Sequence, residues 1–146
     1  MTLLKTCSEG ISFGRELEEA TALFYEKLAK VLPDHAESLS GYAAVNRKNV
    51  SNVQRTYFGV ITDGLEGCFA FNLDPNEYVV DVELPEGIAK ADALAKAIAA
   101  EETIVRFYTD AAEQGKGLMA DVPRAFSLIA RKRGNRIEEL KAIAGG

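Results

Sequence analysis

Two glutamates sit where apolar residues are expected. Between residues 94 and 112, Leu94, Ile98, Glu101, Val105, Tyr108 and Ala112 recur at alternating spacings of four and three. That is the inward seam of a bundle helix. Between residues 14 and 32 the same frame holds Gly14, Glu18, Thr21, Tyr25, Leu28 and Leu32. A carboxylate on such a seam has two chemistries open to it, ligating a metal or pairing with a buried cation. Two further seams are polar in the middle: Leu39, Tyr42, Asn46, Asn49, Val53, and Phe126, Ile129, Arg133, Arg136, Leu140. Polar residues at one level on four helices predict a shared internal cluster in which Arg133 and Arg136 balance Glu18 and Glu101. The competing reading shifts the frame by one position and lets some of these side chains reach water. Arg133 lies in the run Arg131-Lys132-Arg133, which taken alone suits a solvated face.

Composition narrows the chemistry. The chain has 146 residues, enough for one domain with a sizeable core, and 47% of them are hydrophobic. A single histidine, His35, cannot supply a two-histidine metal site, nor a credible Ser/His/Asp or Cys/His arrangement. His35 is expected as an exposed loop residue. Cys7 and Cys68 form no C-x-x-C pair and read as reduced thiols. The net charge of −5 argues against nucleic-acid binding, although Arg124, Arg131, Lys132, Arg133, Arg136 and Lys141 on the last helix could, taken alone, touch an acidic partner or nucleic acid. No apolar run reaches the length of a membrane span, and Met1-Thr2-Leu3-Leu4-Lys5 lacks signal-peptide architecture, so the cytoplasm is expected.

Four helices must carry these seams. The first is expected from about Ser12 to Val31, ended by Leu32-Pro33. The second starts at a capping Asp34, with Glu37 as its capping-box partner, and reaches Ile61. The third spans about Ile88–Gln114, stopped by Gly115-Lys116-Gly117. The fourth is capped by Asp121, has Pro123 in its first turn, and runs to Ala144. Gly10, Gly14, Gly115 and Gly117 read as helix punctuation rather than a phosphate cradle. Two tight hairpins, about 12–61 and 88–144, are thus joined by a crossover of about 25 residues, 62–87. It is long for a structureless loop and is expected to be ordered, with one short extended piece. Within it, Val79, Val80, Val82 and Leu84 would cover the bundle or meet a second chain.

The hairpins also repeat. At an offset of 83 residues, Glu18-Glu19 and Phe24-Tyr25 match Glu101-Glu102 and Phe107-Tyr108, and Ala29 matches Ala112. At an offset of 87, Leu39, Ser40 and Ala43 match Phe126, Ser127 and Ala130. The chain reads as a duplicated helical hairpin.

Glu18-x6-Tyr25 and Glu101-x6-Tyr108 resemble the E-x6-Y segments of rubrerythrin-like proteins in the ferritin-like superfamily. The resemblance implies an all-α ferritin-like four-helix bundle. It also implies a di-iron site built from one Glu on the first and third helices and an E-x-x-H pair on the second and fourth. Glu18 and Glu101 match that pattern. Asn46 and Asn49 replace the first E-x-x-H pair, and Arg133 and Arg136 the second. Amides are poor iron ligands and guanidinium groups are none. No paired C-x-x-C module for electron input is present. Tyr25 and Tyr108 are expected to line the site, bonded to the polar cluster or left over from redox chemistry.

The expectation is therefore a catalytically degenerate relative with no cofactor, acting as a binding, regulatory or assembly protein. It would have a homodimer, a small ligand or a protein as partner, and neither nucleic acid nor membrane. The alternative is a di-iron or mononuclear iron oxidoreductase using Glu18 and Glu101 with Glu102, Asn46 and Asn49.

Overall fold

A computed structural model describes residues 3–61, 69–115 and 121–145. The elements are β1 (Leu4–Thr6), α1 (Cys7–Val31), α2 (Ala36–Ile61), β2 (Phe69–Leu73), α3 (Lys90–Gly115) and α4 (Asp121–Gly145). The four helices form an all-α bundle. α1 packs chiefly on α2 and α3 on α4, and contacts of α1 with α3 and of α2 with α4 close it. Cys68 and Gly117 lie outside the described residues.

α1 starts five residues before the expected Ser12. Thr6 and Glu9 form a capping box: the Glu9 amide donates to Thr6 Oγ1 at 3.1 Å, and the Thr6 amide donates to Glu9 Oε1 at 3.0 Å. These bonds satisfy amides that a helix start leaves without partners. Gly10 and Gly14 therefore lie within the helix. The close approach of Phe71 requires glycine at Gly10, where a Cβ would stand 2.7 Å from the ring. A Cβ at Gly115 would stand 3.2 Å from the same ring, so Phe71 fills a notch between two helices. Here glycine serves packing more than punctuation.

α1 ends at Leu32, whose amide reaches Leu28 O at 2.9 Å, and Pro33 prevents continuation. A 3-10 turn, Pro33–His35, leads into α2. Asp34 sits inside that turn rather than at a cap, and His35 is half-buried rather than exposed. The proline geometry tightens this junction by one turn before the α-helix begins.

The crossover does contain a strand, Phe69–Leu73, which pairs antiparallel with β1, placing Leu4 opposite Leu73 and Thr6 opposite Phe69. The alternating run Tyr78–Leu84 joins no ladder. Instead Val80, Val82 and Leu84 pack on the bundle while Val79 is 71% exposed. A second 3-10 turn, Pro75–Tyr78, separates the two segments.

Most seam positions are buried, but the inward face of α3 is wider than a two-position stripe. Ala97, Ile104 and Phe107 are fully enclosed, whereas Ile98 and Val105 are only partly so. Helices in a globular bundle bury a broad face rather than a narrow coiled-coil seam. The apolar core divides in two. One cluster gathers Ile11, Leu17, Val53, Phe71, Ile104, Phe107, Phe126 and Ile129. The other gathers Phe24, Leu28, Leu32, Leu39, Leu94, Ala97 and Leu140. The polar residues of the four seams lie between them along the chain.

Candidate functional site

Six buried side chains from four helices meet in that layer. α1 supplies Glu18, α2 supplies Asn46 and Asn49, α3 supplies Glu101, and α4 supplies Arg133 and Arg136; none is more than 7% exposed. The helical period puts residues three apart on one face, which turns both members of the α2 and α4 pairs inward.

Arg133 occupies the centre. Its Nη1 donates to both oxygens of Glu101 at 2.6 Å, and its Nη2 donates to Glu18 Oε1 at 2.6 Å. Arg136 Nη1 donates to Asn46 Oδ1 at 2.8 Å and to Glu101 Oε2 at 3.2 Å. The Arg136 guanidinium also lies 4.6 Å from the Tyr42 ring centre and 5.3 Å from that of Tyr25, within cation–π range. Asn46 Nδ2 donates to Glu18 O at 3.1 Å and to Thr21 Oγ1 at 2.8 Å. Asn49 Nδ2 reaches Glu18 Oε1 only at 3.4 Å.

The tyrosines exchange partners between the two halves. Tyr25 on α1 donates to Glu101 Oε2 on α3 at 2.5 Å, and Tyr108 on α3 donates to Glu18 Oε2 on α1 at 2.6 Å. Among the described residues, Arg133 Nε is the one buried side-chain polar atom without a hydrogen-bond partner.

Two carboxylates and two guanidiniums give the layer no net formal charge. Burial by itself raises the Glu101 carboxyl. Arg133 and Arg136, with the Tyr25 hydroxyl, outweigh that and hold it below the ordinary carboxylate value. Burial disfavours charge on Arg133, but Glu101 and Glu18 more than compensate, so its proton is held more tightly than usual. Burial, and then the facing carboxylates, push the Tyr25 and Tyr108 hydroxyls well above the ordinary tyrosine value. For Glu101, Arg133, Tyr25 and Tyr108 the shifts all run away from neutrality, whereas a general acid or base works best with a pKa near the operating pH.

Two participants carry roles that the seams did not assign. Thr21 accepts from Asn46 and itself donates to Leu17 O at 2.7 Å. Tyr42 covers Arg136 and donates to Glu139 Oε1 at 2.6 Å. Their inward frame positions were the available signal. Glu102 is exposed and does not join the layer.

Iron does not fit this donor set. Among the described residues, no group of three or more His, Cys, Asp or Glu side chains is placed to hold a metal. Three of the four carboxylate oxygens already accept from guanidinium groups and the fourth, Glu18 Oε2, from the Tyr108 hydroxyl, and the guanidinium charge would repel a cation strongly in so dry a site. A cavity of about 10 Å³ bordered by Glu18, Asn49 and Tyr108 has room for about one water. No described helix is long and apolar enough to cross a membrane. No protein-family model, curated protein or solved structure matches the chain.

Proposed function

We propose that this chain is a metal-free, non-catalytic relative of the rubrerythrin-like, ferritin-like bundles. It serves in the cytoplasm as a binding, regulatory or assembly protein, alone or as a homodimer. One observation carries the reading: Arg133 bridges Glu18 and Glu101 at 2.6 Å, where the family would hold its cations. Removing two metal ions from a core leaves carboxylates that must be protonated or neutralised. Planar, permanently charged guanidiniums neutralise them without a cofactor. The acidic balance of the whole chain supports a role away from nucleic acid.

The test is elemental analysis of protein purified without chelator, repeated after anaerobic Fe(II) addition. Less than about 0.1 metal per chain is expected in both, because the two carboxylates are already paired with guanidinium groups and no histidine joins them as a ligand. Near-stoichiometric iron would overturn the reading and restore the oxidoreductase alternative. A four-fold variant, Asn46→Glu/Asn49→His/Arg133→Glu/Arg136→His, rebuilds both E-x-x-H pairs. Once circular dichroism shows it to be helical, it should take up about two irons per chain. A folded variant that binds none would refute the proposed equivalence of positions.

A further inference from the structure

Opposite sides of the bundle carry opposite charge. Going round it, α1 packs on α2, α2 on α4, α4 on α3 and α3 on α1, so the α2–α4 side lies opposite the α1–α3 side. α2 and α4 together hold nine basic and four acidic residues, whereas the rest of the chain holds eight basic and eighteen acidic. Two of the nine, Arg133 and Arg136, are enclosed with the core carboxylates, and the α2–α4 surface remains basic without them.

Hydrogen bonds fix which residues line the basic side. Glu139 on α4 accepts from Tyr42 on α2 at 2.6 Å, so the helical period puts Leu128, Lys132 and Asn135 on the same, α2-facing flank of α4. On α2, Arg47 points the other way, to Glu26 of α1 at 2.8 Å, which leaves Val45, Lys48 and Asn52 on the flank toward α4. All six are exposed. Val45 and Leu128, at 40% and 41%, are two of the most exposed large apolar side chains among the described residues. Asn46 meets Arg136 and Tyr42 meets Glu139, so the two helices run antiparallel, and Lys48 and Lys132 fall between Val45 and Leu128 along the side. Neither lysine forms an ion pair among the described residues. A two-fold contact of this side with itself would set lysine against lysine and is disfavoured.

The crossover lies on the other side. Tyr78 rests on Phe107 of α3 at 5.4 Å between ring centres, and Phe107 meets Phe13 of α1 at 5.2 Å. Residues 74–86 carry five acidic groups and no basic one. Two bases of α3 reach the segment, Lys96 to Asp81 and Arg106 to Glu77 O, and an excess of negative charge remains. Glu77, Glu83 and Glu86 are exposed and form no ion pair among the described residues. Val79 stands among them at 71% exposure. One side thus presents lysines between aliphatic groups, and the other an aliphatic group among carboxylates.

We propose that the α2–α4 side of one copy docks on the crossover of a second copy, with Lys48 and Lys132 meeting the free carboxylates and Val79 resting on the exposed aliphatic side chains. Because the two sides are opposite each other on one molecule, the contact is head-to-tail, and copies join into open chains rather than a closed pair. The inference deepens the reading of the chain as an assembly protein and rests on it. Their failures are distinguishable, because metal content is measured separately: a monomer without iron removes this contact and leaves the metal-free core standing.

The test is sedimentation velocity of the full chain over a range of concentration and salt. The average mass should rise with concentration beyond that of a dimer and return to the monomer at high salt. Lys48→Glu/Lys132→Glu sets acid against acid, and Glu83→Lys/Glu86→Lys sets base against base, so each variant alone should associate at least about tenfold more weakly. Mixed one to one, the two variants offer only complementary contacts and should recover the assembly. Helical circular dichroism of each variant, altered only at exposed positions, reports its fold. An unmodified chain that stays monomeric, a dimer that does not grow, association undiminished in either variant, or no recovery on mixing would each overturn the proposal.

Discussion

Replacing Arg133 by methionine isolates charge from volume. Methionine retains most of the apolar stem, so the change removes three 2.6 Å bonds without opening a large cavity. Glu18 keeps Tyr108 and the distant Asn49 amide, and Glu101 keeps Tyr25 and Arg136. The layer is left with one uncompensated negative charge, and breaking a buried pair from one side costs about 3–5 kcal/mol. For a chain of 146 residues the unfolding entropy is about 0.3 kcal/mol per kelvin, so Tm should fall by about 10–15 °C. The exposed pair Arg47–Glu26, at 2.8 Å, is the control, and Arg47→Met should cost about 1 kcal/mol or less. A double-mutant cycle sharpens the argument. Glu18→Gln alone leaves one excess positive charge, whereas Glu18→Gln/Arg133→Met is neutral again, with Glu101 still paired to Arg136. The double variant should therefore lose about 2 kcal/mol less than the sum of the singles. The assay is urea unfolding followed by circular dichroism. Additive losses within about 0.5 kcal/mol, or an Arg133→Met melt matching Arg47→Met, would refute a charge-balanced core.

The layer also predicts acid lability. The Glu101 carboxyl is held below its ordinary value in the fold, so its contribution is complete above the unfolded value of about 4.3 and is lost as pH falls through the folded one. Melts across the acid range should steepen below about pH 4, and Glu101→Gln should remove part of that slope while lowering stability at neutral pH. An unchanged acid slope in Glu101→Gln would contradict the assignment. Tyr25→Phe and Tyr108→Phe each delete a hydroxyl donor to a buried carboxylate and should each cost about 1.5–3 kcal/mol in urea unfolding. Losses below about 0.5 kcal/mol would mean these hydroxyls do not hold the layer. Ultraviolet titration should find both tyrosines still protonated at pH 10, where an ordinary tyrosine is half ionised.

The helices were legible because their periodicity is long and strong. The seams repeat over about four to five turns, and most of their positions are buried. The polar residues were legible for the same reason, since a charged residue on an apolar stripe stands out against its neighbours. What escaped depended on contacts between segments distant in the chain. β1 is three residues long and exists through its pairing with Phe69–Leu73, a partner no local pattern identifies. The alternation from Tyr78 to Leu84 reports which side chains face the bundle, and says nothing of whether a neighbouring strand exists to complete a ladder. The role of Gly10 is set by Phe71, some sixty residues later. Thr21 and Tyr42 were placed inward by the frame, yet their partners, Asn46 and Arg136, lie on other helices.

The repeated hairpins diverge where electrostatics leaves them no choice. Glu18 and Glu101 occupy equivalent positions, and their tyrosine donors cross symmetrically between α1 and α3. The remaining positions break the symmetry, with amides on α2 and guanidiniums on α4. Amides at all four would leave two buried negative charges, and arginines at all four would leave two positive ones. Either imbalance costs several kcal/mol per ion. One arginine on each helix would balance the charge equally well, so neutrality alone does not place both on α4. Hydrogen-bond accounting supplies the rest. Asn46 donates to Glu18 O and Thr21 Oγ1 and accepts from Arg136, using both ends of its amide. An arginine there has no acceptor to offer Arg136 and would crowd its guanidinium. The short amide on α2 is therefore what lets Arg136 lie between Tyr25, Tyr42 and Glu101, while Arg133 spans both carboxylates. The asymmetry of the layer follows from satisfying charge and hydrogen bonding in the same enclosed space.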